Sequence, residues 1–153
     1  MYKIVDEFGN SFSQYTYSVE AEFEKMVVAN VDSIFGKDGI YFDIKKLIGK
    51  PKKGATIPDG YYLDLTFHTD PRLYLVEVEL NSHDVYGHIG EQLLRFGISS
   101  EMDKYKMKSL LLSAIQGDSK KQTKLNEFYK RSNFNNNSEL LDKVIFDNMI
   151  HLT

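Results

Sequence analysis

Two glutamates lie two positions apart in the segment "RLYLVEVEL", which covers residues 72–80. The neighbouring residues are mostly apolar, aromatic or β-branched, a composition that predicts a buried strand. Alternate side chains of a strand share one face, so the carboxyl groups of Glu77 and Glu79 point the same way. Carboxylates held close together raise each other's pKa unless a cation compensates their charge. Because hard divalent ions prefer oxygen ligands, the pattern favours a Mg²⁺ or Mn²⁺ site.

The preceding segment, "GYYLDLTFH" at residues 60–68, supplies another acid. The two segments predict an antiparallel hairpin with "TDPR" as its turn, since Asp-Pro is a frequent turn dipeptide. That register places Asp64 opposite Glu77, and a slip of one residue would separate them. Asp59 is a second candidate, although an aspartate before a glycine is also typical of a turn. The sequence therefore leaves Asp64, which we prefer, and Asp59 as alternative partners of Glu77.

The segment "SVEAEFEKMVVANVDSIFG" predicts an amphipathic helix, because its apolar residues recur at intervals of three and four. At 100° per residue, Glu20 falls within about 20° of Val27 and so lies inside the apolar stripe. Glu24 falls on the margin of that stripe, and Glu22 points outward. We therefore expect Glu20 to join the acidic cluster.

The remaining segments predict the elements that must position these acids. Residues 39–49 predict a strand, 82–97 a second helix, 107–115 a fully apolar central strand and 118–132 a polar helix. Residues 140–152 fit either a helix or a helix that leads into an edge strand. The order of elements predicts an α/β sandwich, with a mixed central β-sheet flanked by helices.

At this point the residues resemble a known family. The segment "IPDGYYLDLTFHTDPRLYLVEVEL" resembles the PD-(D/E)XK nuclease superfamily, which has the restriction-endonuclease-like fold. "SVEAEFEKMV" resembles the helical glutamate motif of that superfamily, best matched by Glu20, and "HIGEQLLRF" resembles its glutamine-bearing helix, with Gln92 in the matching place. The resemblance covers roughly Ser18 to Ile115. The chain departs from the family pattern at Glu79, which stands where the family usually has a lysine.

The resemblance implies a nuclease that hydrolyses phosphodiester bonds of DNA with Mg²⁺ or Mn²⁺. It implies Asp64 and Glu77 as direct metal ligands together with the Val78 carbonyl, and supporting roles at a metal or a water for Glu79 and Glu20. Asp59 is the alternative metal ligand.

The charge of the missing lysine must then come from elsewhere or be absent. His88, Gln92 and Arg95 share one face of the second predicted helix, and Arg95 is our candidate replacement. A solvated helix surface is the ordinary alternative for these three residues. The candidate catalytic residues are thus Glu20, Asp64, Glu77, Glu79, Gln92 and Arg95.

A lysine-rich segment leads into the first acidic strand and is the one concentrated basic patch of the sequence. Its lysines can hold phosphates beside a metal, or they can belong to an ordinary solvated loop. We expect nucleic-acid contacts from Lys45, Lys46, Lys50, Lys52, Lys53 and His88.

Composition limits the other possibilities. The chain has 153 residues, no cysteine and a net charge of −3, so thiolate metal sites are excluded and any nucleic-acid contact must be local. No apolar run is long enough to span a bilayer and no signal peptide is visible, so we expect a cytoplasmic protein without membrane contacts. We expect one domain over residues 1–153, with a core at about 18–115 and a C-terminal helical extension at about 118–153; a homodimer is possible.

Two other functions remain open on the sequence. A nuclease-fold module that has lost catalysis would bind nucleic acid or a protein partner, and the missing lysine favours this reading. An acidic pocket for a cationic small molecule is a third option. The sequence does not distinguish DNA from RNA as the substrate.

Overall fold

A computed structural model describes residues 3–45, 58–80, 104–147 and 151–152, together with Gly87 and Gly90. The strands are β1 (Lys3–Val5), β2 (Ser11–Ser13), β3 (Gly39–Phe42), β4 (Gly60–Asp64), β5 (Arg72–Val76) and β6 (His151–Leu152). The helices are α1 (Glu20–Ala29), α2 (Val31–Ile34), α3 (Lys104–Gln116), α4 (Ser119–Tyr129) and α5 (Asn137–Asp142), and a π-helical turn covers Lys143–Asp147.

The central sheet has four strands in the order β3-β4-β5-β6. The first three form an antiparallel meander, whereas β6 runs parallel to β5. The sheet is therefore mixed, as predicted. β1 and β2 form a separate exposed hairpin.

Helices pack on both faces of the central sheet. On one face Leu63, Leu73 and Leu75 pack against buried residues of α3, α4 and α5, among them Leu111 and Leu125. The opposite face is covered by α1 and α2. Val27 of α1 packs there with Tyr62, Val76 and Val78. Phe23, Val31 and Phe35 pack against this cluster. The chain is thus a mixed α/β sandwich, and α4 and α5 belong to its main core.

The predicted register of the β4–β5 hairpin is wrong. Asp64 pairs with Arg72, and Gly60 pairs with Val76. Strand β4 ends early because the Asp64 carboxylate accepts a hydrogen bond from the N–H of Thr66 at 2.9 Å, which turns the chain out of the sheet. The connection therefore spans residues 65–71 and not four residues. Continued by one position beyond Gly60 and Val76, the observed register brings Asp59 opposite Glu77.

The predicted strand at residues 107–115 is also wrong, because this segment lies within helix α3. Met107, Leu111 and Ile115 are fully buried at a spacing of four residues, and Ser109 and Ser113 are exposed between them. A short apolar run fits a buried strand and a buried helix equally well, so the pattern did not decide between them.

The strand predicted at residues 39–49 is shorter in the structure, because β3 ends at Phe42 and the described residues 43–45 lie outside it. Two predicted helices agree with the structure. The helix at 18–36 appears as α1 and α2, and Gly36 follows with a φ of 96°. The polar helix appears as α4, and its N-cap residue Asp118 accepts hydrogen bonds from the N–H groups of Lys120 and Lys121.

The segment at 140–152 is a helix that leads into an edge strand, one of its two predicted forms. Of the predicted helix at 82–97, only Gly87 and Gly90 are among the described residues, and both are helical. Across the described parts of the chain, no helix is long and apolar enough to cross a membrane.

Candidate functional site

Three polar residues flank the strand termini at one end of the sheet. Lys45 follows the end of β3, Asp59 precedes the start of β4, and Glu77 follows the end of β5. In an antiparallel meander these three termini lie side by side. Asp64 ends β4 and therefore lies at the opposite end, about 13 Å from Gly60 at 3.3 Å per residue. The predicted pairing of Asp64 with Glu77, which we preferred, is thus wrong. Asp59 lies beside Glu77 instead.

Asp59 connects the two strands that carry the acids. Its Oδ2 accepts a hydrogen bond from the N–H of Val78 at 2.8 Å, and its side chain is 19% exposed. Glu77 and Glu24 are close enough to its carboxyl group to shift the pKa of Asp59. Asp59 is therefore not a solvated turn aspartate but the centre of a carboxyl cluster.

The surroundings of Glu77 favour the protonated form of its carboxyl group. Burial first, and then the charge of Asp59 and a hydrogen bond to it, raise the pKa of Glu77 to about 8. Burial also raises the pKa of Asp59, although hydrogen bonds from Val78 and Glu77 act in the opposite direction. Glu77 is accordingly the proton donor of the pair. Its second oxygen, Oε1, is buried and has no hydrogen-bond partner within the described residues.

Lys45 supplies the positive charge nearest to the cluster. Its Nζ contacts Oε2 of Glu24 and lies 3.6 Å from Oδ1 of Asp59. The hydrogen bond with Glu24 raises the pKa of Lys45. We predicted that Lys45 would bind phosphate, but in the structure it is paired with two carboxylates. Its ammonium group therefore occupies the kind of position in which a bound cation would be stabilised.

The helical glutamate of the cluster is Glu24, whereas we expected Glu20. Glu20 is half-buried one turn earlier in α1, and Glu24 makes the contacts with Lys45 and Asp59. The two glutamates differ by about 40° around the helix axis, and Glu24 lies on the margin of the apolar stripe, as predicted. That margin faces the cleft, whereas Glu22 is exposed, also as predicted.

The negative charges of the same acids act on the phenol of Tyr41. Burial, followed by the charges of Asp43, Asp59, Glu24 and Glu77, raises the pKa of Tyr41 to about 12. Asp43 was not among the predicted site residues. The only sequence signal for it was its position two residues before Lys45, inside the strand predicted at residues 39–49.

A cleft of about 370 Å³, which we call the acidic cleft, lies at these groups, and Glu77 is not part of its described lining. It is formed by Ala21, Glu24, Lys25, Val28, Ala29, Tyr41, Asp43, Lys45 and Asp59. Its polar groups are carboxylates, lysine amines and one phenol. Oxygen donors of this type suit hard cations, and the lysines suit anions.

Glu79 lies beside the cluster without lining the acidic cleft. Its charge contributes to the raised pKa of Glu77, and its side chain lines a second cleft with Tyr15, Tyr17 and Phe23. Val78, between the two glutamates, is buried against the α1 side of the sheet. The alternation predicted for this segment is therefore present: half-buried glutamates alternate with buried apolar residues.

Among the described residues, no group of three or more histidine, aspartate or glutamate side chains is arranged to hold a metal ion. In this structure Lys45 compensates part of the charge of the acids, and burial of Glu77 favours the uncharged form of its carboxyl group. Several predicted residues lie outside the described part of the chain, and their roles stay predictions: His88, Gln92, Arg95, Lys46, Lys50, Lys52 and Lys53.

Comparison with known proteins finds no matching family model, no similar curated protein and no similar solved structure.

Proposed function

We propose that the protein is a metal-dependent nuclease that acts on DNA, and that its active site lies at the acidic cleft. The observation that carries the proposal is the half-buried pair of Asp59 and Glu77, which lies beside Glu24 and Lys45 at the ends of β4 and β5. The acids also follow the order of the PD-(D/E)XK pattern, which the sequence resembles. A helical glutamate comes first, then an aspartate before one strand, then a glutamate at the end of the next strand.

The donor chemistry of the cleft fits a hard divalent cation. All acidic donors are carboxylate oxygens, and Oε1 of Glu77 is buried without a hydrogen-bond partner among the described residues. Asp59, Glu77 and Glu24 would hold Mg²⁺ or Mn²⁺, with Glu79 nearby, only after their side chains rearrange, because the described side chains are not arranged to hold a metal ion. A bound ion of this type activates water and neutralises charge on the phosphate.

The residues of the chain prepare this site in three ways. The N–H of Val78 fixes the orientation of the Asp59 carboxylate. The surroundings of Glu77 favour the protonated form of its carboxyl group until a cation compensates its charge. The ammonium group of Lys45 provides the positive charge that the family normally supplies from the position of Glu79. Lys45 is thus a second candidate, beside Arg95, for the role of the missing lysine.

A catalytically inactive module that binds nucleic acid or a protein is the second candidate function. One observation favours it: Lys45 already pairs with Glu24 and Asp59. An ion pair of this kind compensates the charge of the two carboxylates without any bound metal.

A cleavage assay distinguishes the two functions. Wild-type protein, Asp59→Asn, Glu77→Gln and Asp64→Asn are incubated with supercoiled plasmid, branched DNA and RNA in Mg²⁺ and in Mn²⁺. We expect wild type and Asp64→Asn to cleave DNA, and the other two variants to lose activity. Cleavage that survives Asp59→Asn would place the active site elsewhere, and a wild type that cleaves no substrate would favour the binding module.

A further inference from the structure

Three aromatic rings contact one another beside the acidic cleft. Two lie in the segment that joins β2 to α1, and the third lies in the first turn of α1. The ring centroids of Tyr15 and Tyr17 lie 4.8 Å apart with an interplanar angle of 70°. Tyr17 stacks on Phe23 at 5.0 Å and 24°. The inner two rings therefore pack on each other, whereas Tyr15 stands outermost and is 70% exposed.

These rings form one wall of a cleft of about 570 Å³, which we call the aromatic cleft. Its lining consists of Gln14, Tyr15, Thr16, Tyr17, Phe23, Glu79 and Leu80. Glu79 connects it to the acidic cluster, since its charge acts on Glu77 two positions earlier. Phe23 of the same lining is the chain neighbour of Glu24 in α1, so the aromatic cleft lies near the acidic cluster.

We propose that the aromatic cleft binds an unpaired nucleobase, next to the phosphodiester that is cleaved. The proposal rests on the proposed nuclease function and adds a preference for single-stranded or locally unpaired substrate. Exposed aromatic rings bind bases by stacking on their flat faces. The amide of Gln14 and the hydroxyl of Thr16 line the same cleft and have the donor and acceptor groups that base edges require.

The charge of the aromatic cleft favours a base over a phosphate. Among the described residues that line it there is no lysine or arginine, and the one charged side chain is Glu79. A phosphate would be repelled there, whereas a neutral base would not. Bases inside an intact duplex have both faces covered by neighbouring pairs, so only an unpaired or extruded base can enter.

A fluorescence experiment tests this proposal without metal. The probe is a short single-stranded oligodeoxynucleotide with 2-aminopurine, whose emission falls on stacking, in buffer with EDTA. We compare wild type, Tyr15→Ala, Tyr15→Phe and the control Tyr105→Ala. Tyr105 is a tyrosine on α3 that is 80% exposed and lies at the ring of Phe146, 5.0 Å between centroids.

We expect wild type, Tyr15→Phe and Tyr105→Ala to bind the probe and quench it equally. Tyr15→Ala should weaken binding about tenfold, which corresponds to about 1.4 kcal/mol, and should abolish the quenching. A fully paired duplex should show no quenching. Unchanged binding by Tyr15→Ala, or equal binding of the duplex, would overturn the proposal.

A different experimental result would contradict the proposed nuclease function. Because the probe is measured in EDTA, stacking on Tyr15 is read independently of cleavage. A protein that quenches the probe but cleaves no nucleic acid would retain the base-binding cleft and lose the nuclease proposal. A protein that cleaves nucleic acid without quenching would retain the nuclease and lose the base-binding cleft.

Discussion

The N–H of Val78 donates a hydrogen bond of 2.8 Å to Oδ2 of Asp59 across the ends of β4 and β5. This bond holds the aspartate against the strand that carries both glutamates. The position of Asp59 is therefore set by the backbone of the sheet and not by a flexible turn. Substitutions at Asp59 should consequently affect the candidate site directly.

Divalent metal should stabilise the protein, and the effect should depend on Asp59 and Glu77. A ligand that binds only the folded state raises the free energy of unfolding, by about 2.7 kcal/mol at a hundred times its Kd. We expect Mn²⁺ or Mg²⁺ to raise the melting temperature of wild type and to leave that of Asp59→Asn with Glu77→Gln unchanged. Asp64→Asn is the matched control and should respond as wild type does; a lost response in this variant would return Asp64 to the site.

The protonation of Glu77 should make stability depend on pH. Its pKa is about 8 in the folded protein, against an ordinary value of 4.5. Between these values the folded state binds the extra proton, so the free energy of unfolding should fall as pH rises from about 4.5 to about 8. Glu77→Gln cannot ionise and should lose this component, whereas exposed Glu22→Gln should retain it. Urea unfolding across this pH range provides the measurement, and parallel profiles for wild type and Glu77→Gln would contradict it.

Lys45 should affect catalysis and metal binding in opposite directions. Lys45→Met removes a competing cation from Glu24 and Asp59, so metal should bind more tightly in calorimetric titrations. If Lys45 stabilises charge on the phosphate, the same variant should lower kcat about a hundredfold. Exposed Lys37→Met is the control. Unchanged turnover in Lys45→Met, combined with loss of turnover in Arg95→Ala, would assign the role to Arg95.

Gly60 should resist replacement by alanine. A Cβ at Gly60 would lie 2.2 Å from the hydroxyl oxygen of Tyr41, so the tyrosine ring would have to move. We expect Gly60→Ala to lower the free energy of unfolding by about 1–3 kcal/mol, as other overpacking substitutions do. At Gly117 the nearest atom is the Ser113 carbonyl oxygen at 3.4 Å, so Gly117→Ala should have a smaller effect. Equal urea midpoints for the two variants would show that the Tyr41 ring yields freely.

Local sequence patterns predicted the elements of the site better than they predicted the register between its strands. The alternation around Glu77 and Glu79 and the presence of a hairpin were both visible in the sequence. The register was not, because it depends on the hydrogen bond from Thr66 to Asp64 and on the bond from the N–H of Leu65 to the Asp38 carbonyl. Neither bond has a signal in the spacing of apolar residues.

The prediction of which acids form the cluster was wrong for the same reason. Asp59 and Asp64 belong to one short segment, and only the register decides which of them meets Glu77. Glu24 lies about 40° from Glu20 around α1, a difference smaller than the uncertainty of a helical projection whose partner is unknown. Tertiary packing, and not local sequence, therefore selected the residues of the acidic cluster.

The parallel pairing of β6 with β5 has a consequence for how the protein is made. Leu152 pairs with Leu75, although all of α3, α4 and α5 lies between them in the sequence. Contacts between such distant positions form late, because closing a long loop costs chain entropy. On a ribosome, the outer edge of β5 stays open until residues 151–152 have emerged. During that interval the nascent chain exposes a strand edge next to its acidic cluster, and this edge is where chaperone binding or aggregation would begin.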